Sequence, residues 1–110
     1  MPLPVTHNLF VYRGDTWSQV FRLTRDGAPE NLAGATVESE ARAPDGTLTD
    51  LVIVVEDVDE ARIRLSLPPG FPPSSYQYDV EVTLASGDVT TWIKGSLMVM
   101  RDVTNSVVTP

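Results

Sequence analysis

The chain has 110 residues, enough for one domain, and its apolar fraction of 42% is ordinary for a globular protein. It has no cysteine, which excludes disulfides and thiolate metal sites. A net charge of −7 with only 8 basic residues argues against a nucleic-acid partner, whose phosphates are neutralised by Lys and Arg.

The N-terminal Met1-Pro2-Leu3-Pro4 lacks the basic and apolar regions of a secretory leader, and the longest apolar run, Leu51 to Val55, is far short of a membrane span. The expectation is a soluble protein made in the cytoplasm. Along the chain, short apolar-rich segments alternate with turn residues, and no window has helical periodicity.

The first expected strand is Asn8 to Arg13, ended by Gly14-Asp15. The second is Thr16 to Thr24, where Trp17, Val20, Phe21 and Leu23 break strict alternation, so a bulge is expected between Ser18 and Val20. Asp26-Gly27 then supplies the positive φ angles of a tight turn. Ala35 to Ala43 is the clearest period-two stretch, with Ala35, Val37, Ser39 and Ala41 on one face and Thr36, Glu38, Glu40 and Arg42 on the other. Pro44-Asp45-Gly46 ends it.

Leu48 to Val55 is apolar nearly throughout and reads as a strand covered on both sides or held by a partner. After a turn at Val58–Ala61, a fifth strand runs from Arg62 to Leu67 with Ile63, Leu65 and Leu67 on one face. Four prolines in Pro68–Pro73 exclude a central strand or helix there and suit a rigid connection between sheets. Tyr76 to Leu84 alternates cleanly, and Ala85–Asp88 is a hairpin turn. Val89 to Met100 forms a long seventh strand in which Gly95 marks a bulge or bend. About seven strands at roughly ten-residue spacing predict an all-β fold, a two-sheet antiparallel Ig-like β-sandwich. Its core spans about 8–102, with peripheral arms at 1–7 and 103–110.

No catalytic set is legible. The lone histidine, His7, falls in the N-terminal arm, so neither a Ser-His-Asp triad nor a transition-metal site is expected, and no cofactor is implied. The cluster Glu56, Asp57, Asp59 and Glu60 lacks the spacing of a calcium loop and reads as a solvated turn. Arg13-Gly14-Asp15 spells an integrin-recognition tripeptide but is explained by the turn between the first two strands. Trp17, Trp92 and Phe71 are the aromatics available for a sugar-stacking platform. The tryptophans are expected in the core, and Phe71, flanked by prolines, is the aromatic expected to be exposed.

An ordered set of fragments points further. Arg13-Gly14-Asp15-Thr16 leads into an apolar strand, followed by Asp26-Gly27-x-Pro29-x-Asn31-Leu32-x-Gly34-Ala35-x-Val37. Then come Asp45-Gly46, Ile63-x-Leu65-x-Leu67-Pro68, Tyr76-x-Tyr78-Asp79-Val80-Glu81-Val82, Gly87, Gly95-x-Leu97-x-Val99 and Asp102-Val103-Thr104. Over about residues 12–104 this set resembles the small Ig-like β-sandwich domains of tailed-phage virion proteins: tail-fibre connector or collar proteins, and the N-terminal domain of baseplate upper proteins. The stretch Pro68–Ser75 is longer and richer in proline than that pattern.

The resemblance implies a non-enzymatic structural protein of the virion, in a tail, collar or baseplate-associated position. It implies protein partners in tail or neck, a homo-oligomeric ring, and no membrane or nucleic-acid partner. Expected partner contacts are Phe71 in the proline-rich connection, Val89 and Thr91 on the long strand, and Val103, Val107 and Val108 in the C-terminal arm. The alternative from a different class is a carbohydrate- or receptor-binding β-sandwich module.

Overall fold

In the computed structural model, which describes residues 4–12 and 17–100, every regular element is a β-strand. In chain order these are β1 (Val5–Thr6), β2 (Leu9–Tyr12), β3 (Ser18–Arg22), β4 (Thr24–Arg25), β5 (Ala28–Pro29), β6 (Thr36–Arg42), β7 (Leu48–Asp50), β8 (Val52–Asp57), β9 (Arg62–Ser66), β10 (Ser74–Thr83) and β11 (Val89–Met100). The largest sheet has the order β1-β11-β10-β6-β7, with β2 also paired to β11. A second sheet has the order β3-β9-β8, and β4 and β5 form a separate hairpin. Pairing is antiparallel except for β1 and β2, which run parallel to β11.

Alternation decides which side chains meet. Tyr76, Tyr78, Val80 and Val82 of β10, Ser39 and Ala41 of β6, Leu9 and Val11 of β2, and Leu97 and Val99 of β11 are buried from the large sheet. Ile63 and Leu65 of β9 come from the second sheet, and Leu23, Leu51 and Ala61 from the connections beside it. The apolar members of this set form one cluster. Its most completely enclosed large side chains are Ile63, Leu65, Leu97, Val80 and Val82.

Several turns follow the chemistry of their residues. Asp26 and Gly27 have φ of 55° and 82°, the double left-handed conformation that closes a two-residue hairpin between β4 and β5. At Pro44-Asp45-Gly46 the Asp45 carboxylate accepts a hydrogen bond from the Thr47 amide at 2.9 Å. That bond, with a further one from the Thr47 side chain, holds the carboxyl below its usual range.

Five expectations need correction. The N-terminal arm is in part a strand, since Val5 and Thr6 pair with Ile93 and Lys94. The bulge expected between Ser18 and Val20 is absent: β3 pairs with β9 without a register shift, Gln19 and Phe21 turn inward, and Val20 is left 38% exposed.

The stretch from Leu48 to Val55 is two strands in two sheets. The chain leaves the large sheet at buried Leu51, whose amide donates to Ser39 O at 2.9 Å. The apolar run reflects this change of sheet, and Leu48, Val52 and Val54 remain exposed. β11 runs unbroken through Gly95. The register shift lies where Val80 and Glu81 face Ile93 and Thr91, with Trp92 as the extra residue, so Trp92 and Ile93 are both buried.

The fifth correction concerns Phe71, which is 5% exposed. The proline-rich connection carries the chain from the second sheet to the first, as expected, and folds Phe71 into the core. Its ring lies 4.7 Å from that of Tyr76, whose hydroxyl donates to Pro72 O at 2.7 Å. An aromatic between prolines has more apolar area to bury than any of its neighbours, and the short loop lets it do so.

Candidate functional site

The N-terminal segment is pinned to the large sheet between β1 and β2, at His7 and Asn8. The His7 amide donates to Lys94 O at 2.9 Å, and the Tyr78 hydroxyl donates to His7 O at 2.6 Å. The Ser96 amide donates to Asn8 Oδ1 at 3.0 Å. Gly95 faces these two residues. A methyl group there would overlap the His7 carbonyl oxygen and lie 2.8 Å from its carbon. His7 is therefore part of the fold, its ring edge-on to Phe21 at 5.3 Å. Burial pushes the Tyr78 phenol up to about 12, so its hydroxyl stays protonated as the donor at physiological pH. Replacing Tyr78 by Phe is expected to lower stability by about 1 kcal/mol, read as a shift in urea midpoint at unchanged m-value.

This pinning sets the outer face of the large sheet. Thr6, Lys94, Asp79, Glu40 and Asp50 form one row across five of its six strands. Glu81 and Glu38 stand opposite each other in the next row. A concave groove of about 510 Å³ lies on this face, lined in part by Asn8, Glu40, Arg42, Gln77, Asp79, Thr91, Lys94 and Ser96. A smaller hollow of about 100 Å³ is lined by Glu38, Ser39, Glu40, Asp50, Asp79 and Glu81. Like charges directly opposite in a sheet destabilise it. Among the described residues, no group of three or more His, Asp or Glu side chains is placed to hold a metal ion.

Partial burial pushes the Asp79 carboxyl up, and Arg42 works in the opposite direction. The folded protein thus holds this proton more tightly than the unfolded chain does. Asp79 makes the domain more stable as pH falls from neutrality towards the ordinary carboxylate value of 3.8. Asp79→Asn is expected to be no less stable than the parent at neutral pH, and its advantage over the parent to shrink as pH falls towards 3.8. Urea titrations of both proteins across that range check it, and an advantage that does not shrink would count against the assignment.

Beyond the groove, the same face becomes apolar. Phe10 and Tyr12 alternate outward from buried Leu9 and Val11, and stand opposite Met98 and Met100 of β11. Phe10 is 67% exposed and Tyr12 46%. Two aromatics and two half-buried methionines on adjacent strands form a contiguous apolar strip, of the kind that marks a contact surface. Reading the sequence does not single out this strip. The available signal is four consecutive apolar residues, Leu9 to Tyr12, in a strand with only one face in the core.

The expected contact residues fare differently. Phe71 is in the core and cannot act as a surface contact. Val89 is 58% exposed, and Thr91 is half-buried at the rim of the groove. Both precede the part of β11 that pairs with β1. From Ile93 onwards β11 is flanked on both sides, so most of this long strand is interior to its sheet. Val103, Val107 and Val108, and the tripeptide Arg13-Gly14-Asp15, lie outside the described residues. Trp92 is in the core with the Arg25 guanidinium 5.0 Å from its ring centre, and Trp17 packs half-buried against the core. Trp92 and Phe71 therefore form no stacking platform for a sugar.

The acidic cluster spans the end of β8, at Glu56 and Asp57, and the turn after it, at Asp59 and Glu60. Asp57 Oδ1 accepts from the Asp59 and Glu60 amides at 3.1 and 3.0 Å. Glu56 pairs with Arg64, Glu60 with Arg22 and Asp57 with Arg62.

No family model matches the chain, and no curated protein is significantly similar to it. A solved structure with a similar chain path is a family 123 glycoside hydrolase from Clostridium perfringens, described in an account of glycolipid glycan hydrolysis. The match has a TM-score of 0.41 at 13% identity and covers 89% of this chain and 23% of that one. No activity is carried over from a likeness of that size.

Proposed function

We propose that this chain is a non-enzymatic structural component of a tailed-phage virion, a tail, collar or baseplate-associated module that works through protein–protein contacts as a homo-oligomer. The apolar strip Phe10, Tyr12, Met98 and Met100 supports this most directly, because water-exposed aromatics on a sheet face are stabilised by being covered. The strand order is a second support. Taking β2, β3, β6, β8, β9, β10 and β11 as seven principal strands, β3-β9-β8 corresponds to B-E-D of an Ig-like sandwich and β6-β10-β11 to C-F-G. In this reading the N-terminal strand joins the sheet of G rather than that of B. This order supports the sandwich that the sequence resemblance implies.

The protein would be made in the host cytoplasm and end in the particle. Mass spectrometry of gradient-purified particles, with immunogold labelling by an antibody to this chain, tests the proposal. The expected result is stoichiometric chain and label confined to one ring of the tail or neck. Particles free of the chain would sink it.

A further inference from the structure

Each sheet edge has a distinct character. β7 ends in Asp50, β8 in Glu56-Asp57, and β3 carries Arg22. The edge made by β1 and β2 differs: from Pro4 to Tyr12 there is no Asp, Glu, Lys or Arg, in a chain where 21% of residues carry such groups. Natural edge strands are usually guarded by charge, proline or a bend, because a bare edge recruits another strand. Here Leu9–Tyr12 is uncharged and, among the described residues, unpaired on its outer side.

Charge argues for what covers it. Two copies of a chain with net charge −7 repel wherever their acidic surfaces meet. The outer face of the large sheet, with Glu38, Glu40, Asp50, Asp79 and Glu81 against Arg42 and Lys94, is such a surface. The β2 edge and its apolar strip offer an approach without that cost. We infer that β2 pairs antiparallel with β2 of a second copy about a two-fold axis, extending the large sheet across both chains. The Phe10 and Tyr12 rows then lie side by side on one face. The inference rests on the proposed assembly role and names its partner. A four-residue edge supplies few backbone hydrogen bonds, so the dimer belongs at the weak end of specific association.

Sedimentation velocity and light scattering of the full chain, from micromolar to millimolar concentration, test it. The wild-type mass should rise to that of two chains. Phe10→Lys, which adds a charge beside the edge, should raise the dissociation constant about tenfold or more. Its Tm should stay within about 3 °C of wild type, since the side chain is exposed. Val54→Lys, on the second sheet, should dimerise as wild type does. A wild type monomeric throughout, a larger closed oligomer, Phe10→Lys associating undiminished, or Val54→Lys weakened equally would each overturn the inference. A monomer that is nonetheless found in particles removes this inference and leaves the virion role. An intact dimer absent from all particles does the reverse.

Discussion

Gly95→Ala is expected to destabilise the domain by about 3 kcal/mol, a fall in Tm of about 15 °C, by forcing the N-terminal strand off the large sheet. The added methyl would meet backbone, the His7 carbonyl, rather than the end of a flexible side chain that can turn away. Relief requires moving the His7-Asn8 backbone, and with it the bonds from Tyr78 Oη to His7 O and from Ser96 N to Asn8 Oδ1. Gly87→Ala is the control. Gly87 has φ of 95°, but a methyl group there would meet nothing within 4 Å, so its cost is conformational, about 1 kcal/mol. Thermal melts of both variants, with hydrogen exchange at the His7 and Ser96 amides, check the difference. If Gly95→Ala melts no lower than Gly87→Ala and keeps its exchange protection, the close approach is not what holds the strand.

Trp92→Ala is expected to cost about 3–5 kcal/mol, a large part of the roughly 5–15 kcal/mol that holds a typical domain together. Trp92 is 3% exposed and is the extra residue of the β10–β11 bulge, which brings two consecutive large side chains to the core. Truncation leaves a ring-sized void and removes the aromatic surface under Arg25. Urea unfolding followed by circular dichroism measures the loss. A change below about 1 kcal/mol would show that the site collapses to fill the void. Any loss of binding in this variant would first have to be separated from loss of fold.

The strands that alternate strictly are legible in the sequence as they stand. Val37, Ser39 and Ala41 of β6, Ile63 and Leu65 of β9, and Tyr76 to Val82 of β10 point inward as their period of two requires. The Asp-Gly turns are equally legible, because their positive φ is a local steric demand. Where both faces of a strand carry apolar residues, periodicity is silent. Leu48–Val55 and Leu9–Tyr12 look alike on that measure, yet one switches sheets at Leu51 and the other exposes Phe10 and Tyr12. The candidate contact strip is hidden from the sequence for that reason. Phe71 is hidden for another: its proline neighbours suggest exposure, while its burial depends on where the loop lands against Tyr76.

The sequence by itself determined the all-strand architecture, the turn positions, the inward faces of the alternating strands and the absence of cysteine chemistry, all consequences of composition, local sterics and short-range periodicity. Tertiary structure alone decided which edges are left bare, where β11 takes in an extra tryptophan, and why Gly95 must lack a side chain. Those depend on which strand lies beside which, and residues far apart in the chain, such as His7, Tyr78 and Gly95, meet only once the sheet has formed.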